Sequence, residues 1–264
     1  MPPSLEQPAL PSSLERREII LQTLREKGHV PVQSLLDETR ASPATLRRDL
    51  VFLESRGKLV RTHGGVIHPQ RLVGEAAFAS KQNRATRQKK ALARALVDAI
   101  EPGAAVFIDA GSTCLEVGSL LIERGRNPLY TNSIPLLGLA ARSQAPIHAI
   151  GGEVRPISQA LVGTLGLTWL DALRFDYAVI GASALVDSSG AYTTELHEAA
   201  LKSKVLTRTE HNYLAADSGK LAEKAPVRFA GWNDFTAWFT DDGLPARQAR
   251  NLSQNNHLRI IRAT

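Results

Sequence analysis

Two groups of residues in this chain carry the chemistry of charged-ligand recognition. The first is the run Ser42-Pro43-Ala44-Thr45-Leu46-Arg47-Arg48-Asp49-Leu50, in which two adjacent guanidiniums follow a hydroxyl and a proline. A guanidinium is a planar fork of donors that fits guanine O6 and N7, or a phosphate, in a bidentate way. The second is a series of short polar clusters: Asp109-Ala110-Gly111-Ser112-Thr113, Thr131-Asn132-Ser133, Gly151-Gly152, Glu198 with Lys202, and Asp217-Ser218-Gly219-Lys220. Glycine followed by two hydroxyl residues exposes backbone amides, and a nearby lysine adds a point charge, which is the chemistry of phosphate binding.

The arginine run must be carried on a helix. Ser42 is a good N-cap, Pro43 suits a first turn that needs no amide donor, and Gly57 ends the segment. At 100° per residue Leu46, Leu50 and Leu53 share one stripe, so Thr45 and Arg48 point away from the core with Arg47 on the flank. Two shorter helices precede it. One opens on the capping-box pair Ser12 and Glu15, continues through Ile20, Leu21 and Leu24, and stops at Gly28. The other lies in PVQSLLDET, with Pro31 at its start. After Gly57, KLVRTHGGVI reads as a β-hairpin whose Arg61, His63 and Gly64-Gly65 tip is set to follow a phosphate backbone. Helix, helix, capped helix and hairpin in this order predict a winged helix-turn-helix over residues 12–68.

The polar clusters each close a short apolar run: 104–111, 128–132, 146–152, 177–183, 212–217 and 235–241. Strand, turn and helix in alternation predict an α/β domain with a largely parallel sheet over residues 86–264. Ligands in such sheets bind outside the carboxyl ends of the strands, so the clusters are expected to converge on one crevice. The phosphate of a ligand is expected on Gly111, Ser112 and Thr113, with Lys202 or Lys220 as countercharge and with Asn132 and Asp217 left to read hydroxyls. Glu198 and Lys202 stand four apart on a helix, where an ordinary salt bridge is the simpler reading. The domain opens with the amphipathic helix TRQKKALARALVDAI, basic on its polar side. Residues 69–85 are the expected linker.

Charge and composition narrow the partners. The net charge is +6, and it is uneven: residues 1–71 carry 11 basic and 8 acidic side chains, residues 72–97 carry 6 and 1, and residues 98–264 carry 15 and 17. A positive excess in the first third fits a polyanionic partner. The single cysteine, Cys114, excludes a disulfide framework and a cysteine-rich zinc site. No apolar run reaches the roughly 18 residues of a membrane span, so a cytoplasmic protein without a membrane partner is expected. The seven histidines show no metal-ligand spacing, and no cofactor or metal is predicted.

The run SPATLRRDLVFLESRGKLVRTHGG resembles the signature of the DeoR family of bacterial transcriptional regulators, matching it at Ser42, Pro43, Thr45, Arg47, Arg48, Asp49, Leu50, Arg61, His63, Gly64 and Gly65. The resemblance continues through residues 14–245, at Asp109 to Thr113, Thr131-Asn132, Gly151 to Arg155, Glu198 to Lys202, and Asp217 to Lys220. It implies a sensor domain with the fold of ribose-5-phosphate isomerase and glucosamine-phosphate deaminase, a phosphorylated sugar or polyol as effector, and a dimer or tetramer. It also implies that Ser42, Thr45, Arg47, Arg48, Arg61, His63, Gly64 and Gly65 contact operator DNA, and that Arg155 joins the effector set with Asp109, Asn132, Gly151, Gly152, Lys202, Asp217 and Lys220. Asp49 cannot favour phosphate and is expected to be an internal partner for a neighbouring arginine. The chain departs from the family at Leu221, where phenylalanine is frequent, and in ELHEAALKSK, where an acidic stretch is thinned.

The family function implied is a repressor of a carbohydrate operon, relieved by its effector. The alternative is an isomerase- or deaminase-like enzyme with a DNA-binding appendage. Aldose–ketose chemistry needs a carboxylate base beside the substrate carbon. The available acids are Asp109, Glu198 and Asp217, but the strand that carries an acid in the isomerases ends here as YAVIGASAL. The remaining residues read as structural: Cys114 as a half-buried thiol, His197 and His211 as surface groups, and Trp169, Trp232 and Trp238 as packing residues. The C-terminal RQARNLSQNNHLRIIRAT is expected to form a helix and a last strand.

Overall fold

The computed structural model describes residues 11–27, 29–56, 58–62, 65–67, 78–256 and 258–263, which form two compact units, Met1–Glu75 and Ala76–Thr264. In the first unit α1 (Ser13–Lys27), β1 (His29–Pro31), α2 (Val32–Thr39), α3 (Pro43–Ser55), β2 (Val60–Thr62) and β3 (Gly65–Ile67) follow one another. The expected capping box opens α1: Ser12 N donates to Glu15 Oε2 at 2.7 Å and Glu15 N to Ser12 Oγ at 3.3 Å. Arg40 adopts φ 50° to end α2, and the Ser42 hydroxyl accepts from Thr45 N to begin α3. Ile20, Leu24, Val30, Leu35, Leu46, Leu50, Leu53, Leu59 and Val66 make the core, so the leucine stripe of α3 faces inward as its spacing requires. The small sheet has the order β1-β3-β2, and β1 was not legible in the sequence. Pro31 closes that strand instead of starting α2. The glycines taken as helix stops, Gly28 and Gly57, lie outside the described residues.

Asp49 fastens this unit. Its two carboxylate oxygens accept from Arg17 Nε at 2.8 Å and Arg16 Nε at 2.9 Å, joining α3 to α1. The acid beside the two exposed arginines is thus an internal partner, though its arginines come from α1.

The second unit begins with α4 (Phe78–Asn83), so the end of the expected linker is helical, and Phe78 is buried in the core of this unit. Then come α5 (Thr86–Asp98), β4 (Val106–Ile108), α6 (Ser112–Arg124), β5 (Leu129–Thr131), α7 (Ile134–Leu137), β6 (Ile147–Ala149), β7 (Glu153–Arg155), β8 (Ala160–Val162), α8 (Thr164–Ala172) and β9 (Phe175–Ile180). The chain continues through β10 (Ala184–Val186), β11 (Gly190–Thr193), α9 (Leu196–Leu206), β12 (Thr209–Ala215), β13 (Val227–Ala230), β14 (Ala237–Asp241), α10 (Ala246–Asn256) and β15 (Arg259–Ala263). Seven parallel strands form the main sheet in the order β15-β14-β12-β9-β4-β5-β6, and all six expected apolar runs supply one of them. Alternate residues serve opposite layers, as a pleated strand demands. Val106 and Ile108 pack with α5 and α6 through Leu92, Leu96, Val117 and Leu121, whereas Phe107 faces α8 and α9 through Leu170, Leu201 and Val205. The short pairs β7–β8 and β10–β11–β13 lie outside this sheet and lacked a legible period.

Strand order reverses between β4 and β9: β5 and β6 extend one way and β12, β14 and β15 the other. That reversal is where an open α/β sheet leaves a crevice. Among the described residues no helix is long and apolar enough to cross a membrane.

Asp49→Ala should strand two guanidiniums and loosen α1 from α3, at about 2–3 kcal/mol from the lost charge-assisted hydrogen bonds. Hydrogen exchange read by mass spectrometry should speed up roughly thirty- to hundredfold in peptides within 13–55 and stay unchanged in those of β4, β9 and β12, at about tenfold per 1.4 kcal/mol. Equal protection of α1 in both proteins would contradict this role.

Candidate nucleic-acid interface and effector crevice

The outer face of α3 is built by its cap. Ser42 Oγ accepts from Thr45 N at 3.3 Å and lies 2.9 Å from Thr45 Oγ1, so Ser42 and the half-buried Thr45 fix the first turn and each other. Arg47 and Arg48 are exposed, and among the described residues neither makes an ion pair. With exposed Ala44 and Val51 they form a stripe at i, i+3, i+4 and i+7. Homeodomain recognition helices read the major groove with residues at that same spacing.

The wing differs in part from expectation. Arg61 Nε donates to Glu54 Oε2 at 2.7 Å and Arg61 N to Glu54 Oε1 at 3.1 Å, so the guanidinium ties the wing to α3. Those bonds, backbone first, hold the Glu54 carboxyl below the usual carboxylate range. Gly65 is a correction: it pairs with Thr62 and Pro31 and is buried, because the hairpin is tight enough for it to be the first residue of β3 and not the tip. His63 and Gly64 lie outside the described residues.

In the second unit the loops after β4, β5, β6 and β12 and the helix α9 carry the polar clusters, and the structure brings most of their residues together. Asp109 and Lys202, 1% and 4% exposed, form an ion pair. Gly181 N donates to Asp109 Oδ2 at 3.0 Å, and Lys202 Nζ donates to Gly181 O at 3.1 Å. Burial alone lowers the Lys202 ammonium, but Asp109 and Glu198 outweigh it and hold it above its ordinary value. Asn132 Oδ1 accepts from Ala110 N at 3.0 Å and Asn132 Nδ2 donates to Leu161 O at 3.2 Å. Arg155 Nη1 donates to Glu198 Oε1 at 3.0 Å and Ser158 Oγ at 3.1 Å, and Thr193 Oγ1 donates to Glu198 Oε2 at 3.0 Å.

These bonds reassign several residues. Lys202 is neutralised by Asp109 and is not a spare countercharge. Asn132 has both ends of its amide committed to backbone, so it shapes the loop after β4 instead of being left to read hydroxyls. Glu198 and Lys202 each pair with a residue of another element, replacing the simple helical bridge. Gly152, at φ 153°, lets the chain turn into β7, and an added Cβ would lie 2.1 Å from Val162 O.

What carries no side-chain cap is the start of α6, where Ser112 and Thr113 are buried. Gly111 is its N-cap without a side-chain bond, Ser112 and Thr113 form its first turn, and its first amides are donors without intrahelical acceptors. Two lysines that repel each other lie nearby, one of them, Lys89, within electrostatic reach of Glu116 in α6. Lys220 is half-buried in the turn after Asp217, and burial holds it below its ordinary value against the pull of Asp217. Lys89 of α5 is buried; its ammonium donates to Lys81 O and Gln82 O at the end of α4. Burial lowers Lys89 too; Asp217 and Glu116 of α6 oppose the shift, and Lys220 and Arg84 add to it. The sequence reading missed Lys89, grouping it with the polar face of α5. The signal was present, since Lys89 leads Leu92, Ala93 and Leu96 at i+3, i+4 and i+7, on the buried stripe.

The remaining sequence expectations divide. Cys114 is fully enclosed, and burial with the Asp109 charge drives its thiol far above its ordinary value, so it is not half-buried. Trp232 and Trp238 pack inside as expected, but Trp169 is 60% exposed. His197 is exposed and His211 partly so. The C-terminal helix and strand are α10 and β15. Among the described residues no cluster of ligands fits a metal ion.

Comparison with known proteins covers both units. Residues 16–71 match the DeoR-like helix-turn-helix domain and residues 84–242 the DeoR C terminal sensor domain. A Bacillus subtilis (strain 168) protein described as an uncharacterized HTH-type transcriptional regulator, FruR, is 30% identical over 86% of this chain and 90% of its own. An Escherichia coli (strain K12) regulator described likewise, YgbI, is 32% identical over 90% and 94%. The glycerol-3-phosphate regulon repressor of the same strain is 25% identical over 93% and 97%. Among solved structures, ribose 5-phosphate isomerase A from Methanocaldococcus jannaschii aligns with 50% of this chain and 52% of its own, at 16% identity and a TM-score of 0.37.

Arg47→Ala and Arg48→Ala should each weaken binding to a selected DNA site by about 1–3 kcal/mol and relax preference at one base pair, with the fold intact. Gel-shift titration against a library varied at single positions checks both effects. Undiminished affinity and preference in both variants would move the reading surface off α3.

Proposed function

The chain belongs to the DeoR family of transcriptional regulators, and from that starting point we propose that it is a repressor whose hold on operator DNA is released by a phosphorylated sugar or polyol. Regulation through DNA is the family activity. The effector class is our reading, and one arrangement supports it most: the uncapped start of α6 at the strand-order reversal, with Lys220 and Lys89 close by. An anion there gains amide donors and the positive end of a 13-residue helix. A dianionic phosphate also relieves the mutual repulsion of two partly desolvated lysines. Asp217, half-exposed beside Lys220, is placed to accept from ligand hydroxyls. Ser112, Thr113 and Gly111 serve the phosphate, while Asp109, Asn132, Gly151, Gly152, Arg155 and Lys202 hold the loops that shape the site. The name of the glycerol-3-phosphate regulon repressor agrees with a polyol phosphate as one candidate.

Repression requires affinity for a specific site, and one short helix-turn-helix buries little DNA surface, so we take the working unit to be a homo-oligomer reading a repeated or palindromic operator. Effector and operator then compete through a coupling free energy of about 1–3 kcal/mol, and the same factor must weaken effector binding when operator is saturating. An enzymatic role is set aside: the relatives that match over nearly the whole chain are regulators.

Calorimetric titration should show glycerol 3-phosphate or a phosphorylated sugar binding where the unphosphorylated compound does not. Lys220→Ala should weaken that binding by about 1.5–3 kcal/mol, the range for a hydrogen bond to a charged group, and leave DNA affinity unchanged. Lys202→Ala should instead lower the melting temperature, because it leaves Asp109 buried and unpaired. Equal binding of a sugar with and without its phosphate would remove the phosphate from the α6 site.

A further inference from the structure

Helix α8 lies beside α9 and runs in the same direction. Near its start Gly166 meets Leu201 of α9, where an added Cβ would lie 3.6 Å from Leu201 Cδ1. At its end Asp171 accepts from Arg208 Nη2 at 2.8 Å and pairs with Lys204. Leu167 and Leu170 face the core. The opposite side is uncharged and exposed: Leu165 is 68% exposed and Trp169 60%, one turn apart on the same face, with exposed Thr164 and Thr168 beside them. Leu196, 71% exposed, opens α9 at the same end.

Single exposed leucines need no explanation, but an exposed tryptophan with large aliphatic neighbours marks an interface. Its charge says what can cover it. The only ionised group on the outer side of α8 is Asp171, held at the end of the helix by Lys204 and Arg208, while Leu165, Thr168 and Trp169 carry no charge. In a two-fold pair each surface meets its own copy, so a charged face meets like charge and a neutral apolar one meets its complement. The outer faces of α5 and α10 carry Arg87, Lys90 and Arg94, and Arg247 and Arg250, and are excluded on that ground.

We propose that the Leu165–Trp169 face of α8, extended by Leu196, is where two copies of this chain associate. This rests on the oligomer invoked above and adds its location. The face adjoins the effector crevice through the Arg155–Glu198 pair, and Gly151 O stands 2.9 Å from where a Cβ on Gly166 would be. The interface therefore borders the loops that shape the ligand site.

Light scattering of the full chain at micromolar concentration should give twice its 28.6 kDa mass. Trp169→Glu and Leu165→Glu should each return it to the single-chain mass with an unchanged melting temperature, whereas Leu14→Glu, at an equally exposed position in the first unit, should leave the pair intact. A readout that needs no charge insertion is acrylamide quenching of wild-type fluorescence. Trp232 and Trp238 are buried, so the quenchable signal belongs to Trp169; it should rise at least twofold on dilution to the single chain and vanish in Trp169→Phe. A single-chain mass at 100 μM would overturn both the oligomer and its location. A paired mass in both glutamate variants, or full quenching of Trp169 in the pair, would overturn the location alone and leave the oligomer standing.

Discussion

Two opposite charges buried side by side at the strand-order reversal govern the second unit. Removing a carboxylate and an ammonium from water costs several kcal/mol each, and their attraction repays this only when the remaining donors and acceptors are also satisfied. Asp109 and Lys202 share one further partner, Gly181, whose amide bonds Oδ2 of the acid and whose carbonyl accepts from the lysine. The pair therefore fixes three elements at one point: the end of β4, the end of β9 and the middle of α9. With the loop after β4 pinned at Asp109 and again at Ala110 by Asn132, Gly111 is set as the N-cap of α6, where no side chain caps the first amides.

This constraint explains why local signals in the sequence were read well and remote ones were not. Ser12 with Glu15, Ser42 with Pro43, and the leucine stripe of α3 act within one or two turns, so their outcome depends on residues that can be counted along the chain. The six strands of the sheet were legible for the same reason, since each is a short apolar run with a polar exit. By contrast Lys202 and Asp109 lie 93 positions apart, and Arg155 and Glu198 lie 43 apart. No spacing rule links them. A lysine four residues after a glutamate reads as a helical pair until both partners have been claimed from elsewhere.

Two misplacements have a narrower cause. Lys89 was assigned by its charge to the polar face of α5, although its spacing to Leu92, Ala93 and Leu96 puts it on the buried one. A long aliphatic stem lets lysine join an apolar stripe while its ammonium finds carbonyls, here those ending α4. Trp169 was assigned by its bulk to the interior, yet α8 has only one face against the sheet and Leu167 and Leu170 fill it. In both cases residue type outweighed period, and period was the better guide.

The same bond pattern separates sensing from catalysis. A general base must have a lone pair free to take a proton from the substrate. Asp109 is held through Oδ2 by Lys202 and Gly181, and Glu198 takes one bond on each oxygen, from Arg155 and Thr193, so a proton taken by either acid competes with a bond that holds a loop. Of the three acids near the crevice only Asp217 is left half-exposed, and the lysine beside it draws its charge toward binding. A crevice whose acids are committed to holding loops can convert ligand affinity into a change of shape without touching a covalent bond. Control of DNA binding by a ligand needs no covalent step, because only a difference in affinity between two states can be transmitted.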